Sequence, residues 1–149
     1  MDTDKKWMYL ALKEAEIAES KGEVPVGAVL IQNDKLVAKA HNNSILNNDA
    51  SAHAEIQLIR KAGIILNNYR LTKSVLYVTL EPCAMCLGAI VHARIEKIVF
   101  GAPDPKSGVC GSCKDLTSAD FFNHKVSVYG GVLENQCRSK LTNFFQRLR

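Results

Sequence analysis

No stretch of this chain stays apolar for the roughly 18–20 residues that a membrane span requires. The N-terminal Met1-Asp2-Thr3-Asp4-Lys5-Lys6 is not followed by an apolar core, so no export signal is visible and the expected compartment is the cytoplasm. Internal repeats, low-complexity runs and linkers are also missing. At 149 residues the chain is expected to form one domain, residues 1–149, long enough to bury a real core. Cysteine is scarce and odd in number: Cys83, Cys86, Cys110, Cys113 and Cys137. Five cysteines without an export signal argue against a disulfide framework and for metal binding. Charge of either sign is modest, with 19 basic and 15 acidic residues and a net charge of +4. Apolar content of 47% and charged content of 23% are those of an ordinary globular protein.

The elements follow from periodicity. Trp7, Leu10, Ala11, Ala15 and Ala18 recur at helical spacing, which predicts a helix over 4–19 that ends at Lys21-Gly22. The run 28–32 predicts a buried strand, and Asn33-Asp34 a turn into an alternating strand over 35–40. A polar loop, 42–49, leads to Ser51 as N-cap of a helix over 52–62, with Gly63 as its terminator. Strands are expected over 74–79, 97–100 and 126–129, and a helix over 83–93 opened by Pro82. Glycines and prolines make 101–115 a loop. A last helix over 133–149 carries Leu133, Cys137, Leu141, Phe145 and Leu148 on one stripe. This order predicts a three-layer α/β domain, and the hairpin makes its sheet mixed.

Two short segments carry the chemistry. Ser51-Ala52-His53-Ala54-Glu55 places an imidazole and a carboxylate at a helix start. Glu81-Pro82-Cys83-Ala84-Met85-Cys86 places two thiols one helical turn apart. Three protein ligands, His53, Cys83 and Cys86, would leave a tetrahedral zinc one open position, the mark of a catalytic site. Helix N-termini and metal both favour the thiolate form. Zinc lowers the pKa of a bound water from about 15.7 toward about 7. Glu55 is then the proton carrier beside the activated water. The backbone N–H of Ala54 is a candidate donor to the attacking oxygen. Cys-x-x-Cys alone also serves redox enzymes and zinc ribbons. A four-cysteine structural site joining Cys83 and Cys86 to Cys110 and Cys113 is the competing reading, but it leaves His53 and Glu55 unexplained. Cys137 reads as a small core residue.

The pattern H-x-E…P-C-x-x-C matches the signature of the zinc nucleobase deaminases. Over nearly its whole length the chain resembles the bacterial tRNA-specific adenosine deaminases. The resemblance is carried by Glu23-Val-Pro-Val-Gly-Ala-Val29, by the Asn42…Asp49 loop running into Ala52-His-Ala-Glu55, by Phe100-Gly-Ala…Asp104…Lys106…Gly108…Gly111-Ser112, and by Phe144-Phe145. It implies a cytidine-deaminase-like α/β/α fold with a mixed five-stranded sheet, one Zn2+ per subunit, a homodimer and no nucleotide cofactor. It implies deamination of adenosine to inosine at the wobble position of a tRNA anticodon stem-loop. By the same resemblance Asn42 contacts the target nucleoside, and Asp104 lies against it or its neighbour.

An unpaired anticodon base is cheap to splay out. Lys106, Arg138, Lys140 and Arg147 are candidate phosphate contacts. Between Arg138 and Arg149 there are four basic residues and no acid, which suits a polyanion but equally a solvated helix end. Phe145 is expected in the core and Phe144 exposed for stacking on a base. A small-molecule deaminase, or a non-catalytic zinc-stabilised RNA-binding module, are the other readings of the same residues.

Overall fold

The computed structural model describes residues 2–148. Its elements run α1 (Thr3–Ser20), β1 (Gly27–Gln32), β2 (Lys35–His41), α2 (Ala54–Leu66), β3 (Ser74–Leu80), α3 (Ala84–His92), β4 (Lys97–Ala102), β5 (Ser127–Gly130) and α4 (Glu134–Arg147). The expected order of helices and strands is present throughout. Of the expected basic residues near the C-terminus, Arg149 lies outside the described residues.

The five strands form one mixed sheet in the order β2-β1-β3-β4-β5. Asn33 and Asp34 both adopt left-handed backbone, with φ of 53° and 60°, as a two-residue hairpin turn needs. β1 pairs antiparallel with both β2 and β3. β3–β4 and β4–β5 are parallel. Since β2 and β3 each oppose β1, they run in the same direction. The helices that follow them, α2 and α3, therefore begin at the same end of the sheet.

Strand alternation sorts the core into two layers. Ala28, Leu30, Leu76, Val78 and Ile98 pack against Leu58 of α2 and Leu87 and Ile90 of α3. Their neighbours Val29, Ile31, Tyr77 and Val99 pack against Trp7, Met8 and Ala11 of α1 and Cys137 of α4. Thus two helices cover each face, the α/β/α arrangement. α1 lies very close to β1 at Gly27. A Cβ there would sit 2.1 Å from the Ala11 carbonyl oxygen and 2.5 Å from the Ala15 amide nitrogen. Among the described residues no helix is long and apolar enough to cross a membrane.

Both ends of α2 differ from expectation, and β4 runs on to Ala102, into the stretch expected as loop. α2 begins after His53 rather than at Ala52, because Ser51 is engaged in a tight turn in which Asp49 accepts from its amide and hydroxyl. α2 also continues through Gly63 to a left-handed Asn67, whose φ is 51°. Asn, like Gly, tolerates that conformation at a helix end.

The stripe on α4 also needs correction. It runs Cys137, Leu141, Phe144, at spacings of four and three, so Phe144 is buried at 7% exposure while Phe145 is 46% exposed. Residues 141 and 145 share a face only over one turn, and the inward direction drifts toward 144 as the helix advances. Phe144 is therefore withdrawn as a stacking surface, and Phe145 takes the outward position.

Gly27→Ala should destabilise the fold by roughly 1–3 kcal/mol, the range for overpacking a close contact. The expected readout is a lower urea midpoint at unchanged m-value.

Candidate active site

His53 and Cys83 occupy equivalent positions. Each is the extended residue immediately before a helix, His53 with φ −69° and ψ 158°, Cys83 with φ −82° and ψ 176°. Neither side chain caps its own helix. Both are free to point across the gap between the two helix starts, where the first-turn amides of each helix lack intrahelical partners. Cys86 follows one turn into α3 and is buried.

His53 Nδ1 lies 3.7 Å from Cys83 Sγ and 3.5 Å from Cys86 Sγ. The three donor atoms all fall within 4.8 Å of one another. Nitrogen and sulfur donors at ordinary zinc distances, about 2.05 and 2.3 Å, stand about 3.6 Å apart around a tetrahedral ion. One imidazole and two thiols at this separation fit a single metal ion. Among the described residues no other group of three such donors converges.

The electrostatics agree with the geometry. The Cys83 thiol is held down to about 3, first by its hydrogen bond with the Cys86 thiol and then by the one with His53. Cys86 moves the other way, raised by the same hydrogen bond and by burial. The hydrogen bond to Cys83 raises His53. One thiolate is thus already favoured in the cluster. Glu55, in the first turn of α2, is 4% exposed. Burial pushes its carboxyl up to about 7, and the negative charge of Cys83 adds to this; its own amide and His53 act in the opposite sense.

A cleft of about 250 Å³ opens in front of this group, lined by His53, Glu55, Cys83 and Glu81. Val24, Val26 and Leu80 give it apolar walls, and Asn42, Asp104 and Ser107 stand at its polar side. A wider groove between β2 and α2, around Leu36, Ile64 and Ile65, holds no acid, imidazole or thiol.

Asn42 leaves the end of β2 with its amide bonded to the Val26 carbonyl at 3.0 Å. Its side chain makes no hydrogen bond among the described residues and is available to a ligand. Asp104 Oδ1 accepts from the amides of Lys106 (3.1 Å) and Ser107 (3.2 Å), which forms a turn. Lys106 is exposed on that turn and forms no ion pair among the described residues. Cys110 is buried and Cys113 exposed, and neither joins the donor cluster. Burial raises the Cys110 thiol to about 12.

The basic residues of α4 are engaged with acids. Arg138 pairs with Glu134 on the same helix, while Lys140 reaches Glu16 at 3.4 Å and Arg147 reaches Glu19, both on α1. Each pair has at least one well-exposed partner, so each contributes little to stability.

Three further residues escape a reading of the sequence. Ser107 lines the cleft. Glu23, fully buried, accepts from the amides of Ile45 (3.1 Å) and Leu46 (2.7 Å), and so ties down the loop that follows Asn42. Glu81, 2% exposed, does the same for the loop that holds Asp104. An isolated acid beside a glycine or a proline carries no periodic signal of such a task.

A buried carboxylate beside a His/Cys/Cys donor set, at the floor of a base-sized cleft, is the layout of the zinc-type nucleobase deaminases. The profile of the MafB19-like deaminase family matches residues 2–149. A tRNA-specific adenosine deaminase of Bacillus subtilis (strain 168) is 48% identical over 149 residues, covering 100% of this chain and 92% of that protein. One from Haemophilus influenzae is 47% identical over 147 residues, covering 98% and 85%. A solved structure from work on A-to-I editing by tRNA:A34 deaminases at the wobble position of transfer RNA superposes with a TM-score of 0.89 at 43% identity, covering 91% of this chain and 99% of that one. The chain belongs to the MafB19-like deaminase family, among the tRNA-specific adenosine deaminases.

Cys86→Ala should remove most bound metal, read by elemental analysis against protein concentration. It should also lower the thermal midpoint, because metal affinity adds to folding free energy.

Proposed function

We propose that this protein hydrolyses adenosine to inosine at the wobble position of a tRNA anticodon. The observation that carries the proposal is the burial of Glu55 beside the His53, Cys83 and Cys86 donors, at the floor of a cleft bordered by Asn42 and Asp104.

A zinc ion held by His53, Cys83 and Cys86 would keep a position open and supply the Lewis acidity that makes water a competent nucleophile at neutral pH. Glu55 takes a proton from the attacking water and delivers it to the ring nitrogen next to the amine-bearing carbon. It then relays a proton to the departing amine. The carbon–nitrogen bond breaks, one water is consumed, and one ammonia leaves. The burial of Glu55 serves this role, since a carboxyl shielded from solvent gives up and takes back its proton within the site. The Ala54 amide, at the start of α2, donates to oxygen as charge gathers there. Asn42, with its side-chain amide uncommitted, hydrogen-bonds the nucleoside.

The RNA reading rests on the family and on the rim of the cleft. Asp104 lies against the target nucleoside or its neighbour, and Lys106 faces a phosphate beside it. Phe145 supplies an exposed aromatic on α4, where Phe144 does not. Arg138, Lys140 and Arg147 reach phosphates by exchanging their present carboxylate partners, a small cost at exposed pairs. The protein acts as a homodimer. The exposed apolar side chains of Leu36, Ile64 and Ile65, around one groove, are suited to a second copy.

Glu55→Ala should retain zinc and tRNA binding yet lose at least about 100-fold in turnover, the low end of what general acid–base groups supply. An adenosine-containing anticodon stem-loop should be deaminated, with inosine read by nucleoside mass analysis. Turnover of free bases alone would overturn the tRNA assignment. Lys140→Ala combined with Arg147→Ala should flatten the dependence of log affinity on log salt by about 0.7 for each phosphate deprived of its cation. An unchanged slope would leave these residues as ties between α1 and α4 only.

A further inference from the structure

We infer that Glu81 is a positioning residue that sets where Asp104 stands relative to the metal-binding segment. The inference deepens the proposed deaminase function and rests on it.

Glu81 is the last residue before Pro82-Cys83. Its backbone amide bonds the Ala102 carbonyl at 2.9 Å, and the Pro82 carbonyl accepts from the Val109 amide at 3.1 Å. The side chain is buried at 2% exposure and forms no ion pair among the described residues. Instead, four donors meet its two oxygens. Oε1 accepts from the Asp104 amide at 3.0 Å and from the Ser112 hydroxyl. Oε2 accepts from the Cys110 amide at 2.9 Å and the Ser112 amide at 3.1 Å. All four donors belong to the single loop 104–112, which folds around this carboxylate. Gly108 leaves the room: a Cβ there would lie 2.4 Å from Glu81 Cδ and 2.5 Å from the Asp104 carbonyl oxygen. Glu81 thus joins the Cys83 segment to both ends of the loop that borders the cleft.

The chemistry requires a carboxylate rather than any polar group. An ionised carboxylate is acceptor-only, with about four lone-pair positions to match four donors. An amide has one oxygen and one NH2. Placed with its oxygen toward the Asp104 amide and the Ser112 hydroxyl, its NH2 would face two N–H groups. In the other orientation the oxygen keeps the Cys110 and Ser112 amides, and the NH2 can donate to the Ser112 hydroxyl. Only the Asp104 amide is then left without an acceptor. Glu81→Gln therefore releases the Asp104 end of the loop selectively, two residues away from Cys83 and without touching a metal donor. Asp104 and its turn with Lys106 and Ser107 move as one unit, because the Asp104 side chain closes that turn.

The test uses the full-length, metal-loaded protein and two readouts. In the absence of RNA, amide hydrogen exchange in Glu81→Gln should speed up at Asp104 by at least about tenfold, the scale of one lost bond to a charged acceptor. Cys110 and Ser112 should keep their protection, and bound zinc per chain should match the parent. Uniform loss of protection across 104–112, or loss of zinc, would overturn the inference in favour of a general structural role. With anticodon stem-loop as substrate, Glu81→Gln should raise KM more than it lowers kcat. The double variant Glu81→Gln/Asp104→Ala should be no worse than Asp104→Ala alone. Additive losses would overturn the link through Asp104. If the parent protein fails to deaminate the stem-loop while the exchange pattern holds, the RNA assignment falls and the positioning of Asp104 by Glu81 stands.

Discussion

Burying Glu55 against two sulfurs is the constraint on which this structure turns. A carboxylate and a thiolate withdrawn from water need compensation from fixed dipoles, hydrogen bonds or a metal. The fold supplies the first two by bringing two helix starts together. His53 and Cys83 precede α2 and α3, and neither spends its side chain on capping. That geometry follows from topology. β2 and β3 run alike because β1 opposes both, so the helices leaving them open at one end of the sheet. The apolar layers behind, from Leu58 of α2 to Leu87 of α3, hold those starts in place.

Around this centre, two loops border the cleft, and each is fastened in the same manner. Glu23 holds the segment after Asn42, and Glu81 the segment around Asp104. In both cases a buried carboxylate is satisfied by backbone amides, joined at Glu81 by the Ser112 hydroxyl, rather than by a cation. Such a fastening fixes the path of the main chain while leaving the loop's outward side chains unspecified. Ile45, Leu46 and Lys106 point outward from loops anchored beneath them.

The sequence was most informative where chemistry dictates residue type. His53, Glu55, Cys83 and Cys86 form a pattern whose spacing only makes sense with two helix starts, and the donor atoms do converge. Strand alternation and the Asn33-Asp34 turn were likewise legible, because each reflects a local backbone preference. Three things were not. Gly63 looked like a helix end, yet α2 runs a turn further to a left-handed Asn67. Phe144 and Phe145 are adjacent and equally apolar, so only the direction in which α4 meets the sheet decides between them. Glu23 and Glu81 read as ordinary acids, since their partners are main-chain amides about 20 to 30 residues away, and amides have no letter in a sequence.

The mixed sheet also bears on the order in which the molecule can assemble. β1 and β2 are joined by a two-residue turn and can meet through local contacts alone. β3 must find β1 across the whole of α2, and its pairing with β4 closes a second crossover. Loop closures of that span are slow relative to hairpin formation. His53 lies within the first crossover and Cys83 at the threshold of the second. Until β3 docks beside β1, the imidazole and the thiols belong to separate parts of the chain. The complete donor set therefore matures late in folding, and a nascent chain released before β3 has docked would offer an ion Cys-x-x-Cys thiol pairs without the imidazole of His53 beside them.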